Sequence, residues 1–478
     1  MNRKKELLKS TVLTLLVVIS IVLFANSWVS EWTYSDNENL IQHFASAVGI
    51  GGFFRGEAEI PDGYDVISPA SIIYTSGAKR IIFDKGTDMY DSVYDGILSV
   101  LLYASSQYPV ETVSAAEWYS AQKTQGIYLD YGINLKRRVL ENSIGFTLPD
   151  KIDSIGSVVL TSNDSATNKL VMYFHNEKTD EFYKLITPES ARVIEKLLSE
   201  QEGYENIPLA DELGFNTSPG DEIGQQLIID GNNVINLEQQ SMPAAVIVPS
   251  EDGFGALDNH RVNSLLSLFG MSKSSAKQYA DSSSTMYIDT YGTLRFEEEE
   301  AFPAIEFSAA NENKGILLPT DSVGGDLLYN IALSGYSKAL GVSEIFQLNI
   351  SSMRLASDLT GTGENGYTLY IDYLSEGNPV FTEENGKAAH AVTVRFNANG
   401  EIVYFRQALF GITAQGEEDD ILNVLEAVNR VYSELESENN AVNIKKIAKC
   451  YKLSGENAAG CWYVVTEADD TIYTIEND

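Results

Sequence analysis

Apolar and polar positions alternate with two different rhythms after an N-terminal stretch that has neither. Residues 10–30 form a run of 21 positions without a charge. At about 1.5 Å per residue, a helix of that length reaches across the roughly 30 Å hydrocarbon core of a bilayer. Beyond it, strand-like and helix-like patterns follow one another. A short helix is expected at 40–48, then two strands at 66–75 and 79–83 joined by Ser76-Gly77-Ala78. Residues 90–103 place Val93, Tyr94, Ile97, Leu98, Leu101 and Leu102 on one helical face. A short helix at 115–121 and strands at 126–131, 158–161, 169–175 and 181–186 come next. Thr187-Pro188-Glu189-Ser190 then reads as the opening of a helix to Leu198, because an early helical turn tolerates proline.

Residues 201–225 are polar and turn-rich, with Pro208, Gly214, Pro219 and Gly220, and mark a boundary. The second half loosely repeats the order of elements. Helices are expected at 262–269, 325–340 and 420–435. Between and after them, strands are expected at 284–289, 293–297, 304–307, 345–356, 367–374, 389–397, 401–410, 444–453, 461–466 and 471–475. Asn397-Ala398-Asn399-Gly400 is a hairpin turn signal. Helices laid on antiparallel sheets make an α+β protein. The expected division is 1–32, 33–205, 206–312 and 313–478.

The flanks give the apolar run a direction. Arg3, Lys4, Lys5 and Lys9 precede it against Glu6 alone, so the first nine residues stay in the cytoplasm and the bulk of the chain lies outside the membrane. Trp28 and Trp32 fall where an aromatic belt meets the outer headgroups. Ala25-Asn26-Ser27 offers the alternative of a cleaved signal peptide, but the run exceeds an ordinary signal core. Ser10, Thr14, Val17, Val18, Ile21 and Ala25 share one side of this helix at i+3/i+4 spacing. Their small and hydroxyl members allow close approach of a partner helix in lipid.

Charge and chemistry narrow the function classes. The chain carries 68 acidic against 33 basic residues, a net charge of −35. Such a surface repels phosphate backbones, which argues against nucleic acid. No phosphate-binding glycine loop followed by Lys-Ser/Thr, no His-Glu-x-x-His and no Gly-x-Ser-x-Gly occurs. Ser76-x-x-Lys79 and Ser274-x-x-Lys277 match a penicillin-recognising motif without its partner motifs. Glu297-Glu298-Glu299-Glu300 lacks the spacing of a calcium loop. His43, His175, His260 and His390 are scattered, and no cofactor or metal site emerges. A pair of carboxylates suited to glycoside chemistry needs only to meet in space, and nothing singles one out. Cys450 and Cys461 lie on adjacent expected strands. A two-residue turn at Gly455-Glu456 sets them directly opposite, within reach of a disulfide, whereas a longer turn separates them.

The order of parts resembles the YycH/YycI family of membrane-anchored Gram-positive proteins. The resemblance runs through the basic head and anchor, Ser68-Pro69-Ala70-Ser71-Ile72-Ile73-Tyr74, the helix after it, and Ala116-Glu117-Trp118-Tyr119. It continues in Leu268-Phe269-Gly270, Met286-Tyr287-Ile288-Asp289 and Gly292-Thr293-Leu294. It ends in Ser375-Glu376-Gly377-Asn378-Pro379-Val380-Phe381 and Val392-Thr393-Val394-Arg395-Phe396. The final helix and three strands also resemble a PepSY-type unit, as in YycI-like domains. The resemblance implies a non-enzymatic regulator of the WalK (YycG) sensor histidine kinase, which governs cell-wall metabolism, acting with a YycI-like partner. The alternative is an exported envelope hydrolase with a carboxylate pair that only the fold assembles.

Overall fold

Two sheets organise the chain, the first antiparallel and the second antiparallel except where the strand Val442–Ser454 runs parallel to Asn378–Glu384 and to Leu227–Ile229. The computed structural model describes residues 63–476 except 102–107, 146, 163–167, 200, 202, 214–226, 231, 234, 236–240, 249–257, 282, 298–301, 317–325, 361–365, 385–386, 436–441, 455–456 and 467–471. The expected anchor, its face from Ser10 to Ala25, His43 and the helix at 40–48 lie outside the described residues. Among the described residues no helix is long and apolar enough to cross a membrane.

The first sheet has seven strands in the order β2-β1-β4-β5-β6-β7-β3. They are β1 (Ser71–Ser76), β2 (Lys79–Asp84), β3 (Val110–Val113), β4 (Gly126–Lys136), β5 (Ser154–Ser162), β6 (Lys169–Asn176) and β7 (Glu181–Ser190). β1 and β2 form a hairpin whose turn uses Gly77 at φ +65°, so Ser76 is the last residue of a strand and not a nucleophile at a helix start. Both faces of this sheet are apolar. One carries the row Ile72, Leu129, Val158, Phe174 and Tyr183. Against it pack α1 (Gly63–Val66), α2 (Tyr90–Leu101), α4 (Arg137–Ile144) and α5 (Arg192–Ser199). The other carries Ile73, Tyr128, Val159 and Tyr173, covered by α3 (Ala115–Lys123) through the fully buried Trp118. Ser114 caps α3 by accepting from the Glu117 N–H at 3.3 Å, the start of a Ser-x-x-Glu box.

The helix expected from Thr187 does not start there. Residues Thr187–Ser190 stay in β7, with Lys169 opposite Ser190 and the Thr187 hydroxyl donating to the Leu170 carbonyl. Pro188 sits where the ladder register shifts, and no N–H is missed there. The helix α5 begins only at Arg192. The helix α4, which periodicity did not single out, ends at Gly145 in the left-handed conformation at φ +80°.

The second sheet contains β8 (Leu227–Ile229), β9 (Ser241–Val248), β10 (Lys277–Ala280), β11 (Ser284–Ile288), β12 (Gly292–Glu297), β13 (Ala304–Ala309), β14 (Ser352–Leu355) and β15 (Tyr367–Ser375). It continues with β16 (Asn378–Glu384), β17 (Lys387–Ala389), β18 (Val392–Phe396), β19 (Ile402–Ala408), β20 (Gly411–Asp420), β21 (Val442–Ser454), β22 (Asn457–Thr466) and β23 (Ile472–Ile475). The main path runs β10-β11-β12-β13-β19-β18-β15-β16-β21-β22-β9-β20. Because β13 pairs with β19 and β9 with β20, the expected division at 312/313 does not fall on a sheet boundary. Two further elements differ from expectation. The helix α7 (Leu327–Phe346) continues to Phe346, leaving only Ser352–Leu355 as strand, and β20 occupies residues up to Asp420, so α8 (Val424–Leu435) starts later.

One end of this sheet treats its two faces differently. The inner row Tyr287, Leu294, Phe307, Phe405, Val394 and Leu369 is buried. It is covered by α6 (Asn259–Leu268) and α7. Gly335 of α7 lies so close to the sheet that a Cβ there would stand 2.4 Å from Leu369. Buried Gln407 ties sheet to helix, donating to Ala339 O at 3.1 Å and Ser343 Oγ at 2.9 Å. The outer face presents two register rows. One is Tyr279, Met286, Arg295, Glu306, Arg406, Thr393 and Tyr370; the other is Lys277, Ile288, Thr293, Ser308, Tyr404, Arg395 and Thr368. All fourteen are exposed or half-buried.

Candidate functional site

The sheets meet along a polar seam. Backbone bonds cross it where the Leu359 N–H donates to Asn134 O at 2.7 Å and the Lys136 N–H donates to Leu359 O at 3.0 Å. Beside them Lys446 of β21 forms an ion pair with Asp130 of β4. Burial opposes the Lys446 charge, but Asp130, then Tyr463 and Glu177, more than offset this and its pKa is raised. Glu177 lies against Gly156, whose Cβ position would fall 2.5 Å from the Glu177 carboxyl carbon. Burial, then the neighbouring Asp130 charge, push Glu177 up to about 7. Burial likewise raises Asp230 and Asp84. Asp230 is held by the Asn232 amide at 2.7 Å. The Asn232 carbonyl accepts from Trp118 Nε1 at 2.8 Å, which links the seam to the core under α3.

Sequence reasoning found no privileged carboxylate pair, yet the fold brings Asp130, Glu177 and Asp230 into one electrostatic set. No spacing signal marks them, since they come from one strand, a hairpin turn and a loop. Lys446 engages the set, and among the described residues no group of three or more His, Cys, Asp or Glu is arranged to hold a metal ion. A nearby pocket lined by Val66, Tyr131, Ile133 and Arg354 has a volume of about 10 Å³, room for about one water.

A second constellation lies on the outer side of β15. Asp372, 1% exposed, accepts from Arg354 at 3.3 Å and contacts His390 Nδ1 at 2.6 Å. Burial opposes its charge, but His390 and Arg354 together hold its pKa below the ordinary carboxylate value. The register sets Arg354 opposite Asp372, and Tyr370 stacks on His390 with centroids 4.6 Å apart. His175 is instead a packing residue, stacked on Phe182 at 4.3 Å. His260 begins α6 at the surface. Glu297 pairs with Arg295 at 2.6 Å, and residues 298–300 lie outside the described set.

Cys450 and Cys461 are directly opposite, with Ser454 facing Asn457 so that two residues remain for the turn. Their sulfurs are 3.2 Å apart as free, buried thiols. The Gly-x-Pro segment forms the tight turn its residues suggest, with Glu376 at φ +48° and Gly377 at +76° between β15 and β16.

This two-sheet arrangement aligns with the crystal structure of YycH from Bacillus subtilis. The alignment covers 88% of this chain and 99% of that one, with a TM-score of 0.53 and 11% identity. The fold is that of YycH. At this identity the likeness is one of backbone architecture, so the seam and the Asp372 constellation are features of this chain within the YycH fold. No family model matches the sequence, and no curated protein does.

Proposed function

We propose that the chain is a membrane-anchored extracytoplasmic regulator of a WalK-type sensor histidine kinase. The observation that carries this reading is the end-to-end YycH fold, which spans 88% of the chain. The basic head, the charge-free run at 10–30 and the family-like segments of the sequence support it. In this reading the first nine residues are cytoplasmic and the two sheets stand outside. The transmembrane face Ser10, Thr14, Val17, Val18, Ile21 and Ala25 meets a kinase helix, and a YycI-like protein joins the complex. Each polar contact in lipid is worth about 0.6–2 kcal/mol, so recognition is shared between helix and ectodomain.

The test is affinity capture of the intact chain from membranes, followed by kinase identification and measurement of kinase phosphorylation with and without the chain. Co-purification with altered phosphorylation is expected. Kinase output that does not change on deletion overturns the proposal. Replacing residues 10–30 with an unrelated apolar helix separates the two contacts: insertion is expected to persist while kinase output changes. An epitope after Asp478 should be accessible on intact protoplasts. The raised Glu177 is the one observation favouring the hydrolase reading. Cleavage of peptidoglycan by the purified ectodomain, lost in Glu177→Gln, would establish that reading instead.

A further inference from the structure

We infer that the outer face of β10-β11-β12-β13-β19-β18-β15 is a docking surface for an acidic segment of another extracytoplasmic protein. Across its two register rows stand Lys277, Arg295, Arg395 and Arg406 against Glu306, and Glu297 in the adjoining row pairs with Arg295 at 2.6 Å, so four cations face two carboxylates. The chain as a whole carries 68 acidic and 33 basic residues, so this face inverts the sign of the protein that bears it. Its potential attracts a negatively charged partner while the remainder of the surface repels one, which fixes the docking site and its orientation.

The uncharged positions define what kind of anion fits. Tyr279 is 50% exposed, Ile288 39% and Tyr370 37%. Arg395 lies over the Tyr404 ring at 4.0 Å, a planar cation held flat on the sheet. Tyrosine, arginine and methionine are the residues enriched in protein interfaces, and lysine-rich solvated faces look different. A polyanionic wall polymer neutralises arginines but offers nothing to cover Ile288 and Tyr279. An acidic polypeptide with apolar side chains between its carboxylates satisfies both. A second copy meeting the same face symmetrically would set arginine against arginine. This inference concerns the ectodomain alone and holds whether or not the partner is a kinase.

The experiment uses the full chain in nanodiscs and three probes. These are a peptide alternating Glu with Phe and Val, the same peptide with Lys for Glu, and purified wall teichoic acid. Binding of the acidic peptide alone is expected, weakening steeply with added salt. Arg295→Glu with Arg395→Glu should reduce its affinity at least tenfold. Lys178→Glu, on the first sheet, should leave it unchanged, and unaltered thermal unfolding verifies that the variants fold. Equal binding of both peptides overturns the proposal, as does retention of binding in the double reversal. Stronger binding of teichoic acid that the reversal abolishes reassigns the face to a wall polymer and overturns it. Self-association lost in the reversal reassigns it to a second copy and also overturns it. In cells, a photo-crosslinker at Thr293 should form an adduct that the double reversal removes. A partner charge swap from Glu to Arg should restore it. Failure of kinase capture with success here would sink the kinase reading and leave this one standing.

Discussion

The two sheets solve the problem of a second face in opposite ways. Across the first sheet, Ile73, Tyr128, Val159 and Tyr173 make an apolar row, and the chain covers it with the nine-residue α3. Across the β10–β15 end of the second sheet, the corresponding face carries arginines and tyrosines, and the described part of the chain lays no helix on it. Antiparallel sheets commonly leave one face to solvent, so openness alone says little. The lesson is in the residue types. A face destined for its own helix is built from Ile, Val and ring carbons. A face of Arg, Tyr and Met keeps enough polarity to be soluble alone and enough apolar area to be covered by something else.

The largest effect should come from uncovering the first sheet. Trp118 is fully buried, packs edge-on to Tyr128 at 6.3 Å and donates to Asn232 at 2.8 Å. Trp118→Ala removes that payload and leaves a cavity, with an expected loss of about 3–5 kcal/mol. Urea denaturation measures it. A loss below about 1 kcal/mol would mean that α3 is dispensable and that the two faces differ little.

The next effect concerns the β21–β22 hairpin, which carries the seam's Lys446. If the chain is exported, Cys450 and Cys461 should oxidise to a disulfide, since the register already sets them opposite. Intact mass should fall by two hydrogens under non-reducing conditions. Closing so short a loop stabilises by at most about 3 kcal/mol, readable as a lower melting temperature in reductant. Free thiols in protein recovered from the membrane would refute the pairing.

Much of this comparison was legible in the sequence, and the illegible parts have physical causes. The alternation at residues 284–297 and 392–396 marks one buried and one open face, and the helices over them show their periods. The two-residue turn that sets the cysteines opposite was one of two open registers, and pairing chose it. The sequence did not show that strands on both sides of residue 312 join one sheet, because ladder partners carry no local signal. The same holds for the seam, where Asp130, Glu177, Asp230 and Lys446 are far apart in sequence. Pro188 misled because helix starts and strand ends both accept proline.

The seam should be felt as a pH dependence. Glu177 has its pKa raised from 4.5 to about 7 in the folded chain. The folded state therefore takes up a proton more readily than the unfolded one. Its contribution is fully present below about 4.5 and is lost as pH rises through about 7. Asp84 and Asp230 shift in the same direction. Asp372 shifts the other way, so its contribution is lost only as pH falls below the ordinary carboxylate range. Melting temperature should thus rise between pH 7 and about 5. Glu177→Gln should flatten this slope by about 1–2 kcal/mol after allowance for its partial exposure. A slope unchanged in that variant would move the titration elsewhere.

The smallest effect is the one that decides whether the outer face belongs to folding or to binding. Arg395 is exposed, and its stacking on Tyr404 at 4.0 Å is of a kind worth about 0.5–1 kcal/mol at the surface. Ile288 is 39% exposed, so less apolar burial is at stake there than at a core position. Threonine there retains the β-branched shape that suits a strand. Arg395→Ala with Ile288→Thr should therefore cost less than about 1 kcal/mol in denaturation, the two changes adding because the sites are well separated on the sheet. Phe405→Ala, on the buried face of the same sheet, should cost about 3–5 kcal/mol. A double-variant cost near that of Phe405→Ala would show that the arginine-tyrosine face is held in place by the fold's own energetics, and its composition would then need no partner to explain it. A cost near zero leaves those residues without a folding role, and the docking measurements then report on binding alone.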